Sequence, residues 1–93
     1  MRVVVDAKAW TDLDQIGAWI ANDNPQAARE VLRGILAMIA QLKRFPRLAR
    51  PGRVDGTYER VVPGTRYIIV FELWNEPQPA LVITAVAHGR RNR

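Results

Sequence analysis

The stretch Asn22–Val31, NDNPQAAREV, breaks a run of helical periodicity in two, and the reading of the whole chain starts from that break. Asn24 suits a helix N-cap, where its side-chain oxygen accepts from a free backbone N–H. Pro25 suits the first helical position, where its missing N–H is no loss. Beyond it Ala28, Val31, Leu32, Ile35, Leu36, Ile39 and Leu42 recur at helical spacing and predict a helix from Pro25 to about Lys43. Lys43 and Arg44 favour the negative end of its dipole. Phe45-Pro46 ends it, because the residue before a proline is pushed out of the α region. Before the break, Ala9, Leu13, Ile16 and Ile20 mark a first helix ending near Ala21. Trp10 and Gly17 flank that stripe, and Asp12, Asp14 and Gln15 are assigned to its other side. Trp10 and Trp19 are expected to pack at the helix–sheet junction. Two helices so closely joined pack as an antiparallel hairpin.

Outside the hairpin the signals change to those of strands. Residues 2–5 (RVVV) are mostly β-branched and are followed by Asp6, a cap for the first helix. RFPRLARPGR (44–53) reads as a loop, with arginines at 44, 47, 50 and 53. Val54–Val62 mixes polar and apolar residues, as in a strand with one solvated face. Tyr67–Phe71 (YIIVF) is continuously apolar, as in a central strand covered on both faces. Leu81–Ala87 is a last apolar strand, and Pro63-Gly64 and Asn75–Pro79 supply turns. Trp74 falls next to the second turn, as a partner contact or as a ring partly buried under a loop. The expected fold is α+β, in the order β-α-α-β-β-β, with a helical hairpin packed on a small antiparallel sheet. Ninety-three residues make one domain, 1–93.

Composition removes several functions. With no cysteine and one histidine, disulfides and thiolate metal sites are out and zinc has no support. No Gly-rich phosphate loop or nucleophile elbow occurs, so neither cofactor nor metal is expected. No apolar run reaches the ~20 residues a bilayer span needs, and Arg2–Val5 lacks the apolar core of a signal peptide. The expected location is the cytoplasm. Charge is unevenly placed: residues 1–42 carry a net −1 and residues 43–93 a net +6. A basic second half suits phosphate or an acidic protein partner, although a solvated surface accounts equally well for any single arginine.

The groups left to carry chemistry are Tyr58, Glu59, Arg60, Arg66, His88, Arg90 and Arg91. Metal-free RNA cleavage needs a base, an acid and a cation. Glu59 or His88 fits the base, His88 or Tyr58 the acid, and Arg66 or Arg91 the cation. Each also has a plain structural reading. Glu59 fits an ion pair with Arg60 or a neighbour across the sheet, and His88 a partly exposed residue closing the last strand. A further reading is a basic nucleic-acid-binding module whose arginine loop at 44–53 contacts phosphates.

DAKAWTDLDQIGAWIANDNPQAAREV (6–31), LKRFPRLARPGRVDGTYERVVPGTRYIIVFEL (42–73) and ITAVAHGRR (83–91) together resemble the RelE/ParE superfamily of bacterial type II toxin–antitoxin toxins. The resemblance covers nearly the whole chain. It implies a toxin neutralised by a cognate antitoxin, ParD-like or RelB-like, which itself binds operator DNA. RelE-like members cut messenger RNA in the ribosome; ParE-like members poison DNA gyrase. RelE-like enzymes carry an arginine early in the third strand, where this chain has Ile68, with Arg66 two residues earlier. Arg91 matches a basic position after the last strand, and no tyrosine follows it. The lysines of the nuclease branch are replaced by arginines, which stay protonated and cannot act as bases. The resemblance therefore favours the ParE-like branch, a gyrase poison without an enzymatic step, displaying Arg66, His88, Arg90 and Arg91. The alternative is a ribosome-dependent, metal-independent nuclease using Glu59, Arg66, His88 and Arg91.

Overall fold

The computed structural model describes residues 1–89. Its elements are β1 (Arg2–Val5), α1 (Ala7–Ala21), α2 (Pro25–Arg44), a 3-10 turn (Pro46–Leu48), β2 (Arg50–Pro51), β3 (Thr57–Val61), β4 (Tyr67–Trp74) and β5 (Ala80–His88). Local chemistry sets the helix starts. The Asp6 carboxylate accepts from Ala9 N at 2.9 Å, and the Asn24 side chain accepts from Ala27 N at 3.0 Å. The hairpin between them packs closely: Gly17 lies where a Cβ would stand 3.2 Å from Leu32 Cδ1.

The sheet has five strands in the order β1-β5-β4-β3-β2. From β2 to β5 each neighbouring pair is antiparallel, and β1 runs parallel to β5. The expected α+β order and the helical layer are therefore present, on a sheet that is mixed rather than wholly antiparallel. The helices carry the chain across one face, and the later reversals bring β5 beside β1 pointing the same way. The extra strand, β2, lies inside the arginine loop.

Alternation divides the sheet into two faces. Val3, Val5, Val62, Ile69, Phe71, Leu81, Ile83 and Val86 join Ala9, Leu13, Ile16, Ile35, Met38, Ile39 and Leu42 in one core under the helices. Ile68, Ala80 and Val82 are buried on the opposite face. β4 is the middle strand, as its apolar run implies, and its neighbours Ile68 and Ile69 are buried on opposite faces.

Several local expectations are corrected. Trp10 and Trp19 remain 55% and 72% exposed rather than buried at the helix–sheet junction. Asp12, assigned to the outer side of α1, is only 9% exposed. β4 runs on to Trp74, so that ring closes a strand, its Nε1 donating to Glu72 Oε1 at 2.8 Å. β3 starts at Thr57 rather than Val54, because Asp55-Gly56 form a turn in which Gly56 takes φ 86°.

Gly64 sets up the turn into β4 with φ 78°, and a Cβ there would meet nothing within 4 Å. The cost of a side chain is then purely conformational. Gly64→Ala is expected to lower stability by about 1–2 kcal/mol, and Gly64→Asn by less, because asparagine tolerates the left-handed region. Thermal unfolding of the two variants checks the order.

Candidate functional site

The start of β4 and the end of β5 meet at one end of the sheet, where the Gly89 N–H donates to the Arg66 carbonyl at 2.7 Å. One step inward Tyr67 pairs with His88, and their rings meet edge to face at 5.6 Å and 89°. Gly89 must be small here: a Cβ would lie 3.2 Å from the Arg66 oxygen and 3.5 Å from Ile68 Cδ1. The His-Gly step thus fits the end of β5 against the Arg66 bend.

A cleft of about 330 Å³ opens beside this end, lined by Asp12, Gln15, Ile16, Trp19, Tyr67, Val86 and His88. Asp12 is its structural anchor. One carboxylate oxygen accepts from the backbone N–H of Val86 at 2.9 Å, and the Lys8 ammonium donates to both oxygens at 2.7 and 2.8 Å. A carboxylate on α1 therefore ties the helix to β5 two residues before His88. Helical spacing marks Asp12, three residues after Ala9 and four before Ile16, as a member of the buried stripe; its polarity hid that. Gln15, Ile16, Trp19, Tyr67 and Val86 also line the cleft, and none of them was among the sequence's candidates for chemistry.

The remaining candidates are distributed around the sheet. Arg66 is exposed at the bend before β4, and alternation assigns it to the face of Ile68. His88, half-buried, faces the helix side with Tyr67. Tyr58 is half-buried on the helix side, stacked on Phe71 at 5.6 Å. Arg60 donates from Nη1 to the Leu48 carbonyl at 3.2 Å and so binds the loop to β3. Glu59 is 7% exposed on the face away from the helices, opposite Val70 in the register. It accepts from Arg53 N at 3.1 Å and lies 3.8 Å from the Arg50 guanidinium. Among the described residues its ion pair is thus with Arg50 across the sheet rather than with Arg60. Glu59 and His88 stand on different strands and opposite faces, so these two are not brought together. Arg90 and Arg91 lie outside the described residues.

Among the described residues no group of three or more His, Asp or Glu side chains is placed to hold a metal ion. Among them, no helix is long and apolar enough to cross a membrane.

Residues 3–93 match the family model described as "ParE toxin of type II toxin-antitoxin system, parDE". A relative from Sinorhizobium fredii named "Putative toxin Y4kP" is 35% identical over 84 residues, which span 90% of this chain and 88% of that protein. Among solved structures, the chromosomal ParDE system from P. aeruginosa superposes with a TM-score of 0.81 at 19% identity, covering 95% of both chains. The RelBE2 toxin–antitoxin complex of Mycobacterium tuberculosis gives 0.65 at 24% identity, over 94% of this chain and 95% of the other. A YoeB/ParE toxin from Agrobacterium tumefaciens gives 0.65 at 21% identity, over 95% and 98%. The structural matches establish a shared fold.

Proposed function

Because this chain belongs to the ParE toxin family of type II toxin–antitoxin systems, we propose that it is a cytoplasmic growth-arrest toxin that inhibits DNA gyrase. It acts as a protein ligand, holding gyrase on cleaved DNA, with Arg66, His88, Arg90 and Arg91 as the contacting residues. The observation that carries this reading is the hydrogen bond between Gly89 N and the Arg66 carbonyl, which brings the Arg66 bend beside the end of β5, next to His88. Exposed cations suit a macromolecular target.

The competing reading is a ribosome-dependent nuclease. It needs a base and an acid close enough to flank one phosphodiester. Glu59 and His88 sit on opposite faces of the sheet, and Glu59 is occupied by Arg50 and the Arg53 amide. The separation counts against the Glu59–His88 pairing of that reading.

Inhibition in the cell is relieved by a cognate antitoxin of ParD-like or RelB-like type, which brings the complex to operator DNA. An acidic segment that folds on binding complements the +6 charge of residues 43–93. Incubated with gyrase and supercoiled plasmid, the purified protein is expected to yield linear DNA after detergent and protease treatment. Cleavage of message on translating ribosomes, with gyrase unaffected, would replace this reading with the nuclease.

A further inference from the structure

A second cationic surface lies toward the β2 edge of the sheet. Residues 43–53 (KRFPRLARPGR) hold Lys43, Arg44, Arg47, Arg50 and Arg53 and no carboxylate, and all five side chains are exposed. The segment runs from the last turn of α2 through the 3-10 turn into β2, the edge strand beyond β3. We propose that this arginine loop is a binding site for the phosphate backbone of double-stranded DNA, independent of any action on gyrase.

The loop is held in shape. Arg60 fastens the Leu48 carbonyl, the buried Glu59 carboxylate fastens the Arg53 amide, and Gly52 N donates to Thr57 O at 2.8 Å. Pro46 and Pro51 fix φ at two further points. The cations are therefore presented on a rigid frame, and little order has to be gained on binding. Two carboxylates lie close by. Glu59 is buried and engages Arg50, and Asp55 is exposed two residues past Arg53. Lys43, Arg47 and Arg53 form no ion pair among the described residues. The Arg44 guanidinium lies over the Phe45 ring, 5.4 Å from its centroid.

Exposure and charge density select the partner. An exposed pair between one arginine and one peptide carboxylate contributes at most about 1 kcal/mol, so a row of exposed cations is weak bait for an acidic peptide. Duplex DNA rewards the same row, because each neutralised phosphate releases condensed counterions. A single strand is bound chiefly by stacking bases on aromatic rings. The loop's one ring has a guanidinium over a face, so charge is what it offers.

Fluorescence anisotropy of the full chain, without gyrase, tests the proposal. The probes are a duplex of random sequence, a single-stranded RNA of equal length and poly-glutamate, each titrated across salt concentrations. The duplex is expected to bind tightest, with log affinity falling against log salt at a slope of about −3, as for roughly three to four neutralised phosphates. Arg47→Glu/Arg53→Glu is expected to weaken duplex binding by about tenfold or more and to reduce the slope by about two, one for each phosphate left without its arginine. Arg47→Lys/Arg53→Lys, which keeps the charge, retains the slope. A flat salt dependence of the unaltered chain overturns the proposal whether or not the variants fold. So does tighter binding of RNA or poly-glutamate, or a duplex affinity that Arg90→Ala/Arg91→Ala removes and the loop variants leave intact. With gyrase left out, failure here leaves the gyrase reading untouched.

Discussion

Asp12→Ala is expected to lower stability by about 2–3 kcal/mol, because it removes a charged acceptor from a buried backbone N–H and leaves that donor unsatisfied. For a domain of this size the loss corresponds to about 10–20 °C in melting temperature. Asp12 is 9% exposed and accepts from Val86 N at 2.9 Å, which makes it a tie between α1 and β5. Its ionic partner matters far less. The Lys8 side chain is 67% exposed, and water supplies most of what the ammonium gives, so Lys8→Ala is expected to cost about 0.5 kcal/mol or less. Asp12→Asn keeps an acceptor for Val86 N without the charge and falls between the two. The ranking Ala, Asn, Lys8→Ala in chemical or thermal unfolding separates a backbone tie from a surface ion pair. If Lys8→Ala proved as damaging as Asp12→Ala, the ion pair and not the tie would be holding the helix.

That carboxylate also shows where the sequence was readable. The hairpin could be placed because its signals are local: Asp6 and Asn24 each cap a helix that begins one residue later, and Phe45-Pro46 ends the second. The strand runs were legible for the same reason. The parallel pairing of β1 with β5 was not, since the partners Arg2 and Ala80 are joined by nothing but the finished fold. β2 was hidden by its length of two residues and its proline. The tryptophans were misplaced although the arithmetic was available. Trp10 and Trp19 are nine residues apart, two and a half helical turns, so they fall on opposite flanks, and of the two it is Trp19 that lines a cleft with Tyr67, Val86 and His88. Glu59 was singled out, but its face was not, because β3 alternates Tyr58 and Arg60 against Glu59 and Val61 without a clear apolar side. Only the register with β4 places Glu59 opposite Val70, away from the helices and from His88.

The same placement makes the target testable with two substitutions. Arg66→Glu is expected to raise the amount of protein needed for gyrase-dependent linearisation by about 30-fold, the loss of ~2 kcal/mol typical of an arginine at the centre of a protein interface. Folding should be unaffected, because the Arg66 side chain is exposed and in no ion pair among the described residues. Its backbone carbonyl, which receives Gly89 N, survives the substitution. Glu59→Gln is the converse probe. Glutamine keeps an acceptor for Arg53 N and removes the charge, so the fold persists while a proton-accepting base at this position is lost. Under gyrase poisoning, induced Glu59→Gln protein still arrests growth and Arg66→Glu protein does not. Under RNA cleavage with Glu59 as the base, Glu59→Gln relieves the arrest, whatever Arg66→Glu does. Growth arrest by both variants, with gyrase inhibited equally by both, would take the target surface away from Arg66 and leave gyrase binding to other parts of the chain.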